Sequence, residues 1–346
     1  MLVSDWDVMP HLVCCKATNV HKEVAKRIPN VCFIIDRALG IFILLRYLMN
    51  WIKHLEERRI MKRLKFTKVR LVFQIIYTIV TNGYLYGYIN GKIYKGALKY
   101  ACVPGLNCYS CPGALGSCPL GALQAALNEK QIQIPFAVLG FLFVFGSIFG
   151  RFVCGWLCPF GLFQDFLHKI PMFKKRKQLP NHRILKYGKY LVLVSLVLVG
   201  SSFLFGGFVK VPAFCKYLCP SGTLMGAVPL LGASEQLRSQ AGGLFWWKLG
   251  VLLVLVILSV KVYRPFCQYL CPLGAIYGWF NRFSLVQIHW EKERCIDCMA
   301  CKKACPVDLS PEEISCSGEC IRCGKCVEVC PQGCLGMQNG RNAEEI

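Results

Sequence analysis

Residues 295–334 hold the densest group of side chains able to do chemistry. They read CIDCMACKKACP and, after a spacer, CIRCGKCVEVCP, which is Cys-x2-Cys-x2-Cys-x3-Cys-Pro twice over. A cubane iron–sulfur cluster takes a thiolate at each of its four iron corners, and two-residue spacing lets one tight loop supply three of them. The fourth then comes from the other motif. The expected sets are Cys295, Cys298, Cys301 and Cys330 for one 4Fe–4S cluster, and Cys320, Cys323, Cys326 and Cys305 for the other. A structural zinc site also uses Cys-x2-Cys pairs, but it gives no role to a third cysteine at the same spacing or to the repeated Cys-Pro ending. Cys316 and Cys334 lie outside the pattern and read as spare thiols.

A second set of cysteines lies upstream. Cys154-Gly-Trp-Leu-Cys158-Pro-Phe-Gly, Cys215-Lys-Tyr-Leu-Cys219-Pro-Ser-Gly and Cys267-Gln-Tyr-Leu-Cys271-Pro-Leu-Gly are three near copies of one pattern. A looser fourth copy ends in Cys118-Pro-Leu-Gly, with Cys111 or Cys108 as its upstream partner. Cys-x3-Cys sets two thiolates one helical turn apart on the same side. Proline suits the first turn of the helix that follows, where its missing N–H costs nothing. The free N–H groups of that turn favour an anion. Each motif supplies two thiolates and a cluster needs four, so the motifs must pair. Chain order runs apolar span, outer motif, span, inner motif, and then repeats, with halves of 61–180 and 181–285. Parallel repeats place equivalent segments about an axis along the membrane normal. The inner motifs then give one four-thiolate site, Cys154, Cys158, Cys267 and Cys271. The outer motifs give a second, Cys215 and Cys219 with two of Cys108, Cys111 and Cys118. Four cysteines hold either a 4Fe–4S or a 2Fe–2S cluster, so one or two further clusters are expected there. The plainer readings are unliganded thiols at the inner site and disulfides at the outer one, if it faces outside the cell. Cys102 has no partner motif and reads as an ordinary buried thiol.

The surrounding elements must position these thiols. The chain has 346 residues, 55% of them hydrophobic, and a formal net charge of +22. That apolarity points to a membrane protein. Four stretches, 71–88, 131–150, 190–209 and 243–262, come close to the ~20 residues of a spanning helix. Only the last carries a charge, Lys248, near enough to an end to snorkel, and Trp246 and Trp247 suit an interfacial belt. Lys and Arg number five from 61 to 70, four from 90 to 130, nine from 151 to 189 and three from 210 to 243. By the positive-inside rule this alternation puts the N-terminus, the second loop and the C-terminal motifs on the cytoplasmic side. The fold expected is a membrane all-α protein of four transmembrane helices arranged as a two-fold repeat. A small α+β two-cluster domain follows at 286–338, with a tail at 339–346. Residues 1–60 carry Cys14, Cys15 and Cys32 in no motif, and KRLKFTKVR after Met61 resembles the start of a multi-span protein, so translation is expected to begin at Met61. Mass spectrometry of the native N-terminus checks this; a peptide from 1–60 would refute it.

Several classes are excluded. The basic residues sit beside apolar spans, which argues against nucleic acid. None of the six histidines lies in a span and no Cys-x2-Cys-His occurs, so no haem is expected. No dinucleotide fingerprint or phosphate-binding loop is present, and no intramembrane carboxylate suggests a proton pump. His168 and His182 read as solvated surface residues, and Asp165 as a cap or surface charge. With no catalytic constellation the chain reads as a component of an oxidoreductase system.

Spans with Cys-x3-Cys-Pro motifs followed by a bacterial-type two-cluster ferredoxin domain resemble the NapH/NosR-type membrane ferredoxins, a family with members serving periplasmic nitrate reductase and nitrous oxide respiration. The resemblance covers about residues 61–335 and rests on Cys154/Cys158, Cys267/Cys271 and the eight ferredoxin cysteines. It implies a multi-pass protein of the bacterial inner membrane with cytoplasmic termini. Such a protein would relay electrons between a cytoplasmic ferredoxin or quinol and an extracytoplasmic reductase or flavoprotein, with a quinone or flavin as a possible further cofactor. The chain departs from the family in its extra, outer motif pair and in having no large flavin-binding domain. One alternative is a redox-sensing or maturation factor for another metalloenzyme; another is a ferredoxin domain merely anchored to the membrane. A physical difficulty attends the wire: sites at the two core boundaries stand ~30 Å apart, so the motifs must dip inward or a quinone or flavin must bridge.

Overall fold

The computed structural model describes residues 66–128, 136–200, 212–239, 241–314 and 316–339. The expectations for residues 1–60, for a start at Met61 and for the tail beyond 339 fall outside that range, as do parts of the second and third predicted spans.

The described chain is mainly helical, with one two-stranded antiparallel sheet near its C-terminus, β1 (Val286–Trp290) and β2 (Leu335–Asn339), paired from Val286 opposite Asn339 to Trp290 opposite Leu335. That sheet and the short helices Ala300–Ala304 and Lys325–Val329 form the C-terminal ferredoxin domain. Its core joins Ile288, Val307, Leu309, Ile314, Ile321 and Leu335 to the buried cysteines.

Among the described residues one helix, Gly243–Lys261, is long and apolar enough to cross a membrane by length and composition, and it lies close to the fourth predicted span. The other three spans differ from expectation. The first helix is Phe66–Thr81, starting earlier and ending earlier than 71–88. Its last turn is closed by Thr81 Oγ1 donating to Tyr77 O at 2.8 Å and Asn82 Nδ2 donating to Thr78 O at 3.1 Å, after which a separate helix, Leu85–Asn90, begins. The second helix is described as Phe136–Phe149, a shorter apolar helix. The third begins as Gly188–Val192 and widens to π-helical pitch over Leu193–Val199.

The Phe66–Thr81 helix is built inside out. Phe66, Arg70 and Gln74, spaced four apart, are buried with Thr81, while Val72, Ile76, Ile79 and Val80 are exposed. The Gly243–Lys261 helix buries Leu252, Leu255, Ser259 and Val260 and exposes Leu253, Val254 and Ile257. Large apolar faces pointing outward with polar groups turned inward are the reverse of a water-soluble helix.

The three tight motifs share one local fold. Each first cysteine lies in a five-residue helix, Phe152–Trp156, Ala213–Tyr217 or Pro265–Tyr269, capped by Leu157, Leu218 or Leu270. The second cysteine is extended, with φ/ψ of −85/117 at Cys158 and −77/113 at Cys271, and proline opens the next helix at Pro159 and Pro272. Cys118 and Pro119 repeat that entry.

The ferredoxin domain docks onto this helical part through its second cysteine loop. Trp156 Nε1 donates to Arg322 O at 3.0 Å, and Asn281 Nδ2 donates to Cys320 O at 3.0 Å. The Arg322 guanidinium donates to Phe149 O at 2.9 Å, Asn281 O at 2.7 Å and Ser284 Oγ at 2.6 Å. Gly155 permits a close backbone approach: a Cβ there would stand 2.3 Å from the Ile321 carbonyl oxygen. Gly155→Ala is therefore expected to lower stability by about 1–3 kcal/mol, read from thermal unfolding in detergent. Gly140→Ala, where a Cβ meets nothing within 4 Å, serves as the control, and equal midpoints for the two would refute the contact.

Candidate metal centres

The structure brings Cys295, Cys298, Cys301 and Cys330 to one pocket of the ferredoxin domain and Cys305, Cys320, Cys323 and Cys326 to another. These are the two sets that spacing groups. Cys298 is exposed, whereas Cys320, Cys323 and Cys326 are buried. Cys334, read as spare, lies in the first pocket, with its Sγ 3.3 Å from Cys330 Sγ. Cys316 lines neither pocket.

The inner motifs face each other in the protein interior, and Cys154, Cys158, Cys267 and Cys271 are all buried. A reciprocal clasp joins them. Arg151, three residues before Cys154, donates from Nη2 to Cys267 O at 2.7 Å, and Arg264, three residues before Cys267, donates from Nη1 to Cys154 O at 2.5 Å. Gln164 Nε2 donates to Cys267 Sγ at 3.1 Å. Each second cysteine caps its own helix: Gly161 N donates to Cys158 Sγ and Gly274 N to Cys271 Sγ, both at 3.4 Å. The glycines also leave room for the clasp, since a Cβ would stand 3.1 Å from Arg264 Nη1 at Gly161 and 3.2 Å from Arg151 Nη2 at Gly274.

The outer set repeats the plan. Gln124, six residues after Cys118 as Gln164 is after Cys158, donates to Cys215 Sγ at 3.3 Å. Lys248 donates to Cys215 O at 3.2 Å, taking the place of the clasping arginines. It therefore turns inward rather than snorkelling outward. A cavity of about 600 Å³ is lined by Cys108, Cys118, Cys215 and Cys219 with Lys248. Cys111 is not on it: its buried thiol faces Tyr88 Oη at 3.2 Å and Asn82 Oδ1 at 3.7 Å. Of the three upstream candidates, Cys108 and Cys118 line the cavity with Cys215 and Cys219. Cys102 is half-buried, paired through its backbone with Ser117.

Leu106 and Asn107, in the loop just before Cys108, are both buried. A Cβ on Gly105 would stand 3.0 Å from Cys158 Cα. The Cys108 loop dips into the core and rests on the inner motif.

Sequence reasoning missed the charges of this core. Arg70, Arg151, Lys189, Arg264 and Arg322 are buried. Asp165 is buried as well, contrary to its reading as a surface charge: Arg264 Nε donates to its Oδ1 at 2.7 Å, and Arg70 Nη2 to its Oδ2 at 3.0 Å. Burial would raise the Asp165 carboxyl, but Arg264 and then Arg70 outweigh it and hold it at about 2. Glu319 is also opposed by burial, and Arg151 and Lys189 hold it below the usual range. Arg151 bonds it at 2.8 Å and Lys189 pairs with its other oxygen. His168 and His182 are half-buried, against Ser259 O and Tyr269 Oη. The recoverable signal was the repeat itself, an arginine three residues before each inner motif and a glutamine six residues after two of the second cysteines.

The donor sets fit an anionic cluster. Burial pushes the Cys118, Cys219 and Cys320 thiols up to about 12, so a bound cation must displace their protons at neutral pH. Among the described residues no three or more His, Cys, Asp or Glu side chains converge on the position of a single ion. The thiolates of a cubane bind different irons and stand wider.

A 4Fe-4S binding domain model matches residues 131–180, 191–232 and 244–292, one Cys-x3-Cys-Pro motif in each segment. A second 4Fe-4S binding domain model matches residues 288–309 and 317–336. The Cys215/Cys219 motif, set apart as a departure, is thus within the match; the segment with Cys108 and Cys118 is in neither. An uncharacterized protein of Methanocaldococcus jannaschii is 30% identical over 203 residues, covering 56% of this chain and 67% of the relative. Ferredoxin-type protein NapH of Escherichia coli is 25% identical over 255 residues, 69% of this chain and 76% of its own. The chain belongs to the NapH/NosR-type 4Fe–4S ferredoxin family. Methylamine utilization ferredoxin-type protein MauN of Paracoccus denitrificans is 27% identical over 202 residues, 56% of this chain and 62% of its own. No solved structure matches the chain. Family membership makes it an iron–sulfur, ferredoxin-type electron-transfer protein.

Asp165 is the counter-charge on which the inner clasp depends. Asp165→Asn leaves two buried guanidiniums unpaired and is expected to destabilise the protein by about 3–5 kcal/mol. Because the folded carboxyl titrates below its usual ~3.9, its contribution is whole above about pH 4 and lost as pH falls towards 2. Thermal unfolding at neutral pH checks it; an unchanged midpoint would remove Asp165 from that role.

Proposed function

We propose that the chain carries electrons along four iron–sulfur sites in series: first ferredoxin site, second ferredoxin site, inner site, outer site. The ligands are Cys295, Cys298, Cys301 and Cys330; Cys305, Cys320, Cys323 and Cys326; Cys154, Cys158, Cys267 and Cys271; and Cys108, Cys118, Cys215 and Cys219. A cluster bound at each supplies one-electron redox chemistry. Tunnelling weakens steeply with distance, so what supports the series is continuity. Gly155 lies against Ile321, between the second ferredoxin loop and the inner motif, and Gly105, in the loop that leads to Cys108, packs on the backbone of Cys158. The bridge that a bilayer-wide gap would need is then supplied by the protein itself. The clasping Arg151, Arg264 and Lys248 place positive charge beside the buried thiolates and make electron acceptance easier.

The outward apolar faces favour a lipid surround, with the ferredoxin domain cytoplasmic. Cys298, exposed at the first site, favours entry or exit of electrons there through a soluble ferredoxin-like carrier. The outer site then faces an extracytoplasmic reductase or flavoprotein, or a quinone.

Iron and acid-labile sulfide per chain after anaerobic purification test the series. Four cubanes give about 16 iron atoms and the ferredoxin domain alone about 8. Cys108→Ala is expected to remove about 4 and Cys111→Ala none. A wild-type value near 8, or equal losses in the two variants, would overturn the outer assignment.

A further inference from the structure

The first ferredoxin pocket holds five thiols where a cubane needs four. Cys330-Pro-Gln-Gly-Cys334 folds back on itself: Gly333 takes a left-handed φ of +61, its N–H bonds Cys330 O at 3.3 Å, and the chain enters β2 at Leu335. Glu291 N donates to Cys334 O at 2.9 Å, pinning the turn to the residue after β1. The Cys334 thiol, 5% exposed, is thereby held 3.3 Å from Cys330 Sγ, inside the pocket lined by Cys295, Cys298 and Cys301. The second pocket has Cys305, Cys320, Cys323 and Cys326 and no fifth cysteine. Cys298 is exposed while no ligand of the second set is. The surplus thiol thus sits at the site most open to solvent, where a ligand is most readily lost.

We propose that Cys334 is a reserve ligand of the first site, able to take the iron corner that Cys330 serves. This rests on the cluster reading of that pocket. Cys334 Sγ bonds the iron as Cys330 Sγ leaves it, and the proton given up by Cys334 passes to Cys330 across their contact. One iron–sulfur bond forms and one breaks, so charge and electron count at the site are unchanged. A thiol already within contact of its rival needs only a side-chain rotation.

The test uses the full chain, purified anaerobically in detergent, with iron counted and electron paramagnetic resonance recorded after reduction. Cys330→Ala is expected to keep the wild-type iron content with a shifted first-site signal, and Cys334→Ala to keep both content and signal. Cys330→Ala/Cys334→Ala is expected to lose about 4 iron atoms, as is Cys326→Ala, whose site has no reserve. Loss of iron in Cys330→Ala equal to that in the double variant would overturn the proposal. If Cys330→Ala does not fold, Cys330→Ser replaces it: a four-sulfur-ligand spectrum that turns oxygen-ligated when Cys334 is also removed supports the exchange, and an oxygen-ligated spectrum in both refutes it. A wild-type chain without the first-site signal would overturn the cluster reading itself.

Discussion

A site of four thiolates around iron carries net negative charge, and taking it out of water costs several kcal/mol unless fixed dipoles and cations replace the lost solvent. The inner and outer sites meet that constraint in the same way. A cation donates to the carbonyl of each first cysteine: Arg264 at Cys154, Arg151 at Cys267 and Lys248 at Cys215. Glycine N–H groups at the next helix turn to the second sulfur, as Gly161 and Gly274 do. The arginines are themselves buried and need counter-charges in turn, which Asp165 and Glu319 provide. Removing Asp165 leaves Arg264 and Arg70 buried and without a counter-charge, and removing Glu319 does the same to Arg151 and Lys189.

That network also decides how the ferredoxin domain sits. Glu319 immediately precedes Cys320, and it is bound by Arg151 from the inner motif and by Lys189 from the helix beyond. The charge that balances the inner clasp is thus carried by the second ferredoxin loop. Docking and compensation are one contact. Glycine backbones close the rest: a Cβ at Gly278 would stand 3.0 Å from Gly318 O, and one at Gly318 2.9 Å from Gly278 O. That close backbone approach seats the second ferredoxin loop directly on the helix after Cys271.

The parts legible in the sequence were those fixed by short spacing. Cys-x2-Cys-x2-Cys-x3-Cys-Pro places its own ligands, and the structure brings the two ferredoxin sets to two pockets as spacing divides them. The inner motifs, paired on the sequence by duplication, lie against each other through the Arg151 and Arg264 bonds. What escaped depends on depth and on loops. Hydropathy marked the Gly243–Lys261 helix, but it cannot show that Thr81 and Asn82 end an apolar stretch by bonding back to their own helix. Counting lysines and arginines assumes that they face water, and Arg70, Arg151 and Lys189 do not. The choice among Cys108, Cys111 and Cys118 turns on how one irregular loop folds, and no periodicity reports on that.

The inward dip of that loop changes the physical problem of the molecule. Motifs on alternate connections suggested sites at opposite faces of a bilayer core, with a gap that a single transfer would cross poorly. Buried irregular backbone needs partners for its polar groups, and the loop finds several within the protein. Lys99 donates to Ala114 O at 2.8 Å and to Cys111 O at 3.3 Å, Tyr277 Oη donates to Pro104 O at 3.0 Å, and Val103 N bonds Ser117 O at 2.9 Å. The loop is therefore anchored both to itself and to the helix after Cys271. Lys99 and Tyr277 thus hold a short irregular segment, which includes the buried Leu106 and Asn107, against the inner motif.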